Sequence, residues 1–150
     1  MQRDIRHQFY FPQPPEIVWE YLTKTELIAQ WLMENDFTPL KGHKFQLKTR
    51  PKIKLGFDGT VYCEVLEFDY LRRLSYSWKG GISTDKPTLD SVVIWTLSPA
   101  SGGTELLLEH TGFNGIKNYL AFIIMNMGWL KIGKRLSGHL KSPATDKANT

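Results

Sequence analysis

The stretch Val93-Ile-Trp95-Thr-Leu97-Ser-Pro99-Ala-Ser101-Gly102-Gly103-Thr-Glu-Leu106-Leu-Leu108-Glu-His110 decides the fold. Val93, Trp95 and Leu97 recur at period two, as do Leu106, Leu108 and His110. Each trio therefore lies on one face of a strand. Ser98-Pro99 is expected to end the first strand. Ser101-Gly102-Gly103 is a turn signal that brings the second strand back beside the first.

Upstream the same reading repeats. Leu74, Tyr76 and Trp78 mark one strand. Val61, Cys63 and Val65 mark another, opened by Phe57-Asp-Gly-Thr60, and Phe45, Leu47 and Thr49 alternate with Lys44, Gln46, Lys48 and Arg50. Gly80-Gly81 to Thr88 reads as a loop. Short spacings with tight turns imply an antiparallel meander. At the start of the chain Ile5, His7, Phe9 and Phe11 alternate with Arg6, Gln8 and Tyr10, and Pro12, Pro14 and Pro15 stop that strand. Glu16 to Met33 has apolar residues at three-to-four spacing, interrupted at Thr23-Lys-Thr-Glu26. We read two short helices there, the second capped by Thr25. Downstream, Gly112 to Gly115 is expected to be a loop, with Asn114 capping a helix from Ile116 to Lys141 that is roughly 39 Å long.

The chain of 150 residues is one domain's worth, expected over 1–141, with a polar tail over 142–150 expected to be disordered. Hydrophobic residues at 41% rule out disorder as the main state. Aromatics at 13% are enough to line a pocket as well as fill a core. One cysteine, Cys63, excludes an internal disulfide and suits a reducing cytoplasm. No apolar run approaches a membrane span, and the first residues lack an apolar signal region. The expected location is therefore cytoplasmic, without membrane insertion.

The order of elements, α+β with strand, two helices, curved sheet of six to seven antiparallel strands and long final helix, is the helix-grip plan. The chain resembles the SRPBCC or START-like superfamily (the birch-pollen-allergen fold). Within it, the chain is similar to the bacterial relatives of the activator of heat-shock-protein-90 ATPase. Four stretches carry the likeness: Phe11-Pro-Gln-Pro-Pro-Glu-Ile-Val-Trp19; Leu22-Thr-Lys-Thr-Glu-Leu27 with Gln30-Trp31; Gly103-Thr-Glu-Leu-Leu-Leu-Glu-His-Thr-Gly-Phe113; and Gly128-Trp129 followed by Leu136 and Leu140. The likeness as a whole spans nearly the entire chain, from Ile5 to Leu140. The resemblance implies a cavity between the concave face of the sheet and the final helix. Its ligand would be small and hydrophobic, aromatic or lipid-like. The alternatives that it implies are a cyclase-like enzyme and a protein that acts on a chaperone ATPase. It supplies no catalytic residue set.

The residues expected to line that cavity are Phe9, Phe11, Trp31, Phe57, Trp78, Trp95, His110, Phe113, Met125, Met127, Trp129 and Gly133. Rigid rings and adaptable methionines suit a flat apolar ligand. His7 and His110 fall on inward parity on the first and last strands and are the candidate polar handles. The family carries an apolar side chain where this chain has Gly133. Either that glycine leaves room for ligand, or a bulky ring such as Trp95 fills the space from the other side. No third ligand stands at metal spacing, so neither a metal nor another cofactor is expected. Inward positions hold no paired carboxylates, and no phosphate loop or nucleophile elbow occurs. The net charge of +4 arises from Lys44, Lys48, Arg50, Lys52 and Lys54 together with the final helix. We read the first group as protection of a sheet edge, so no nucleic acid partner is expected.

Overall fold

The computed structural model describes residues 2–50, 59–81, 87–114 and 119–140. Its elements run β1 (Gln2–Phe11), α1 (Pro15–Thr23), α2 (Thr25–Trp31), β2 (Glu34–Asn35), β3 (Lys44–Lys48), β4 (Thr60–Asp69), β5 (Arg73–Gly81), β6 (Pro87–Ala100), β7 (Gly103–Asn114) and α3 (Tyr119–Leu140). Among the described residues seven strands form one antiparallel sheet in the order β1-β7-β6-β5-β4-β3-β2. The first strand thus closes beside the last, with Ile5 opposite His110. This is the α+β helix-grip architecture. Alternation decides its faces: Val93, Trp95, Leu97, Leu106, Leu108 and His110 are all buried. Helices α1 and α2 add Val18, Trp19, Leu22, Ile28 and Trp31 to the same core.

Several boundaries differ from expectation. Pro99 does not end β6; it pairs with Thr104, one pair before the turn. The N–H of Leu97 points to the β5 side, where it donates to the Arg72 carbonyl at 2.8 Å. Pro99 shares that direction but lies past the last β5–β6 pair, Arg73 with Thr96, so its missing N–H breaks no ladder bond. The turn is made by Ser101 (φ 49°) and Gly102 (φ 82°), both left-handed, as a two-residue hairpin requires.

β7 also continues through the expected loop, and Asn114 pairs with Gln2 instead of standing outside the sheet as a helix cap. Gly112 permits this with φ 109°, while a Cβ there would lie 3.0 Å from the Cα of Ser91. Two short helices do follow β1, with Pro15 opening α1. Their junction is made differently from expectation. Lys24 is the extended residue before α2, and the Thr25 hydroxyl donates to the Phe37 carbonyl at 3.1 Å. Phe57, Lys52, Lys54, the expected start of the last helix at Ile116 and the tail over 142–150 lie outside the described residues. No helix among the described residues is long and apolar enough to cross a membrane.

Candidate functional site

Alternation on β5, β6 and β7 aims Trp78, Trp95 and His110 at α3, and helical phase aims Trp129 back at them. The rings form a continuous layer. Trp31 meets Trp95 at 5.7 Å and Trp95 meets Trp129 at 5.5 Å, both edge-on; Trp129 meets Trp78 at 5.3 Å. His110 lies 5.4 Å from Trp78 and 4.8 Å from Phe113, which in turn touches Phe122 at 5.7 Å. Tilted and edge-on contacts at these separations are the favourable geometries for aromatic pairs. Every ring here except Phe122 is almost fully buried.

His110 is fixed by two polar contacts, the second of them relayed onward by Ser91. The Trp129 indole N–H donates to His110 Nδ1 at 2.9 Å. An indole can only donate, so Nδ1 carries the lone pair and Nε2 carries the proton. Nε2–H then donates to Ser91 Oγ at 2.7 Å, and the Ser91 hydroxyl donates to the Trp78 carbonyl at 2.8 Å. Burial holds the imidazole pKa down to about 3. Neither ring nitrogen is free to accept a proton from, or donate to, a ligand in this arrangement. A general base here would need the opposite tautomer. Ser91 lies on the inward parity of β6, two residues before Val93, and this alternation is the signal that identifies it.

His7, the other candidate handle, is half-buried and ties β1 to α3: its Nε2–H donates to Asn126 Oδ1 at 2.8 Å. A further polar group in the aromatic layer is Tyr76. Its hydroxyl accepts from the Trp95 indole N–H at 2.9 Å, and no acceptor for its own proton stands among the described residues. Burial pushes the phenol well above its ordinary pKa, so it stays a neutral donor. Burial likewise pushes up the Cys63 thiol, with Asp36 adding to the effect, which leaves it no nucleophile at neutral pH. No group of three metal-ligating side chains occurs among the described residues.

Two expected lining residues are corrected by the geometry. Met127 is 66% exposed, because it projects from the side of α3 opposite Trp129. At Gly133 a Cβ would lie 2.5 Å from the Phe9 ring, so the glycine is filled space and not a vacancy. The filling ring is Phe9, which stacks on buried Phe11 at 6.2 Å; it is not Trp95. Met125 is half-buried beside the core, as Phe122 is. An open groove of about 390 Å³ lies elsewhere. It runs over the outer face of β3, β4 and β5 among Asp36, Lys44, Gln46, Tyr62, Glu64 and Lys79. It mixes both charges and contains none of the expected lining residues.

Residues 12–141 match the family described as Activator of Hsp90 ATPase homolog 1-like protein. No curated protein matches the chain. Among solved structures, MLL2253 from Mesorhizobium loti is 34% identical, covering 91% of this chain and 95% of its own, with a TM-score of 0.79. CalU16 from Micromonospora echinospora is 26% identical over 97% of this chain and 79% of its own, with a TM-score of 0.67. DynU16, of the dynemicin biosynthetic locus, is 23% identical over 91% of this chain and 46% of its own. Its TM-score of 0.73 is a likeness of fold alone.

Proposed function

We propose, from the premise that the chain belongs to the Activator of Hsp90 ATPase homolog 1-like protein family, that it binds a small, flat, neutral molecule between the sheet and the first half of α3. The reading rests on one observation: a buried aromatic layer that holds a hydroxyl, that of Tyr76, whose proton has no acceptor among the described residues. A ligand with apolar rings replaces ring contacts there, and a carbonyl or ether oxygen on it accepts the Tyr76 proton. An anionic ligand is disfavoured, because His110 is neutral and no cation is among the described side chains of the layer. The half-buried Phe122 and Met125 are the wall that yields to admit it. That DynU16 comes from a dynemicin biosynthetic locus supports a small-molecule role for this fold. The lone buried Cys63, with no disulfide to keep, supports work in the cytoplasm.

Titration of tryptophan fluorescence with neutral polycyclic aromatic compounds tests this. Binding in the micromolar range, about −8 kcal/mol, is expected. Tyr76→Phe should weaken carbonyl-bearing compounds about tenfold, one hydrogen bond's worth, and leave their carbonyl-free analogues unchanged. A flat response across such a set by the folded protein overturns the reading.

A further inference from the structure

The solvent side of α3 is built the wrong way round for a helix that faces only water. Ile124, Met127, Lys131 and Lys134 follow one another at spacings of three and four, so they form a single stripe, flanked by Leu130 and Arg135. Met127 is 66%, Leu130 46% and Ile124 37% exposed. Lys131, Lys134 and Arg135 are exposed as well, and none is in an ion pair with a described residue. The helix from Tyr119 to Leu140 contains no Asp or Glu at all. Exposed helical faces ordinarily carry charges of both signs with apolar groups turned inward. Here apolar groups occupy the first half of the outer stripe and cations the second.

We propose that this outer face of α3 docks on an anionic lipid surface, Ile124, Met127 and Leu130 entering the interface and Lys131, Lys134 and Arg135 meeting the headgroups. Charge and area select this occupant. A second copy of the chain related by a two-fold axis would bring three exposed cations close to three more. Three exposed apolar side chains are a small patch against the roughly 800 Å² per partner that a stable dimer buries. Nucleic acid would satisfy the cations but would leave the apolar half against phosphates and water. A bilayer surface satisfies both halves at once, and a protruding helix reaches a plane without needing a groove. The contact is peripheral and differs from a membrane span, which no helix among the described residues is able to form. It stands on the outer side of α3 and does not depend on the ligand reading for the inner side.

The test is cosedimentation of the full chain with vesicles of phosphatidylcholine alone and of phosphatidylcholine with phosphatidylglycerol. Binding is expected only to the anionic vesicles, weakening as salt rises. Lys131→Gln with Lys134→Gln should weaken it about 25-fold, about fivefold for each charge. Met127→Ser should weaken it about tenfold. Both variants change exposed side chains, so circular dichroism and melting should match the parent. Absence of binding to anionic vesicles overturns the proposal. So does binding that Met127→Ser leaves unchanged, because the cations alone then account for it. A dimer in sedimentation velocity that Met127→Ser dissociates overturns it in favour of a second copy.

Discussion

The two halves of α3 are held in different ways. From Trp129 onward the helix is locked: Trp129, Leu136 and Leu140 are almost wholly buried, Trp129 donates to His110, and Gly133 seats the ring of Phe9. Before Trp129 it only rests. Phe122, Ile123 and Met125 are half-buried, and Ile124 and Met127 face water. A polar tether, His7 to Asn126, reaches back to the sheet from this half. Position is therefore set at one end, and the described side chains of the other end are less buried and have less to lose if it shifts. Local opening is cheapest where burial is least. A binding fold benefits from that division, because a wall that yields must be carried by an anchor that does not.

The largest effects should come from the locked half. Trp129→Ala removes a buried indole, about 3–5 kcal/mol, and leaves His110 Nδ1 without its donor. Met125→Ala in the resting half should lose about 1 kcal/mol. Urea unfolding of both variants measures the contrast, and equal losses would erase it. Gly133→Leu comes next, at about 3 kcal/mol, because the side chain meets Phe9 before its second carbon is placed. Gly133→Ala should also destabilise, by about 1 kcal/mol, despite a helix propensity that favours alanine by a similar amount. In a Phe9→Ala background the sign should reverse, since the obstructing ring is gone. Additive behaviour of the two substitutions would mean that the ring and the glycine do not interact.

Acid should act on the lock through His110. The folded chain keeps the ring neutral down to about pH 3, whereas an unfolded chain protonates it near pH 6.5. The unfolded state therefore binds the extra proton in between. Stability should be unaffected by this group above pH 6.5 and should fall by about 1.4 kcal/mol for each pH unit below it. The comparison is His110→Gln, less stable at pH 7 but with a shallower fall between pH 6.5 and 4.5. Parallel pH profiles of parent and variant would show that another group carries the acid response.

Most of this architecture was legible because it depends on periodicity. Alternation at Val93, Trp95, Leu97, Leu106, Leu108 and His110 fixes which face is buried, and that survives local irregularity. The boundaries were less legible because they depend on neighbours. Pro99 stays in its strand only because β5 ends opposite Thr96, and Gly112 stays in sheet only because it takes a left-handed φ. The aromatic layer of the site was legible as inward rings. Its polar wiring was not, since the partners of His110, Trp129 and Ser91, come from residues 19 apart in either direction. Met127 was misplaced because two neighbouring stripes of α3 are both apolar, and periodicity alone does not say which one faces the sheet. Gly133 was readable as close packing, but the ring opposite it, Phe9, is chosen by how α3 crosses β1.

The smallest effect should fall on the boundary between the halves. Gly128 precedes Trp129, and a Cβ built on it meets nothing within 4 Å. Close packing does not explain the glycine as it does at Gly133. Gly128→Ala should therefore raise stability by about 0.5–1 kcal/mol through helix propensity, a melting-point gain of about 1–4 °C for a chain of this size. The same substitution stiffens the backbone at the point where the resting half would bend away from the locked one. If ligand enters by that bending, Gly128→Ala should slow association of an aromatic probe severalfold while leaving the contacts of the filled site intact. Stopped-flow fluorescence separates the two effects. A variant that melts higher but associates at the parent rate would mean that α3 moves as one body or not at all. The contrast between its halves would then be one of packing and not of motion.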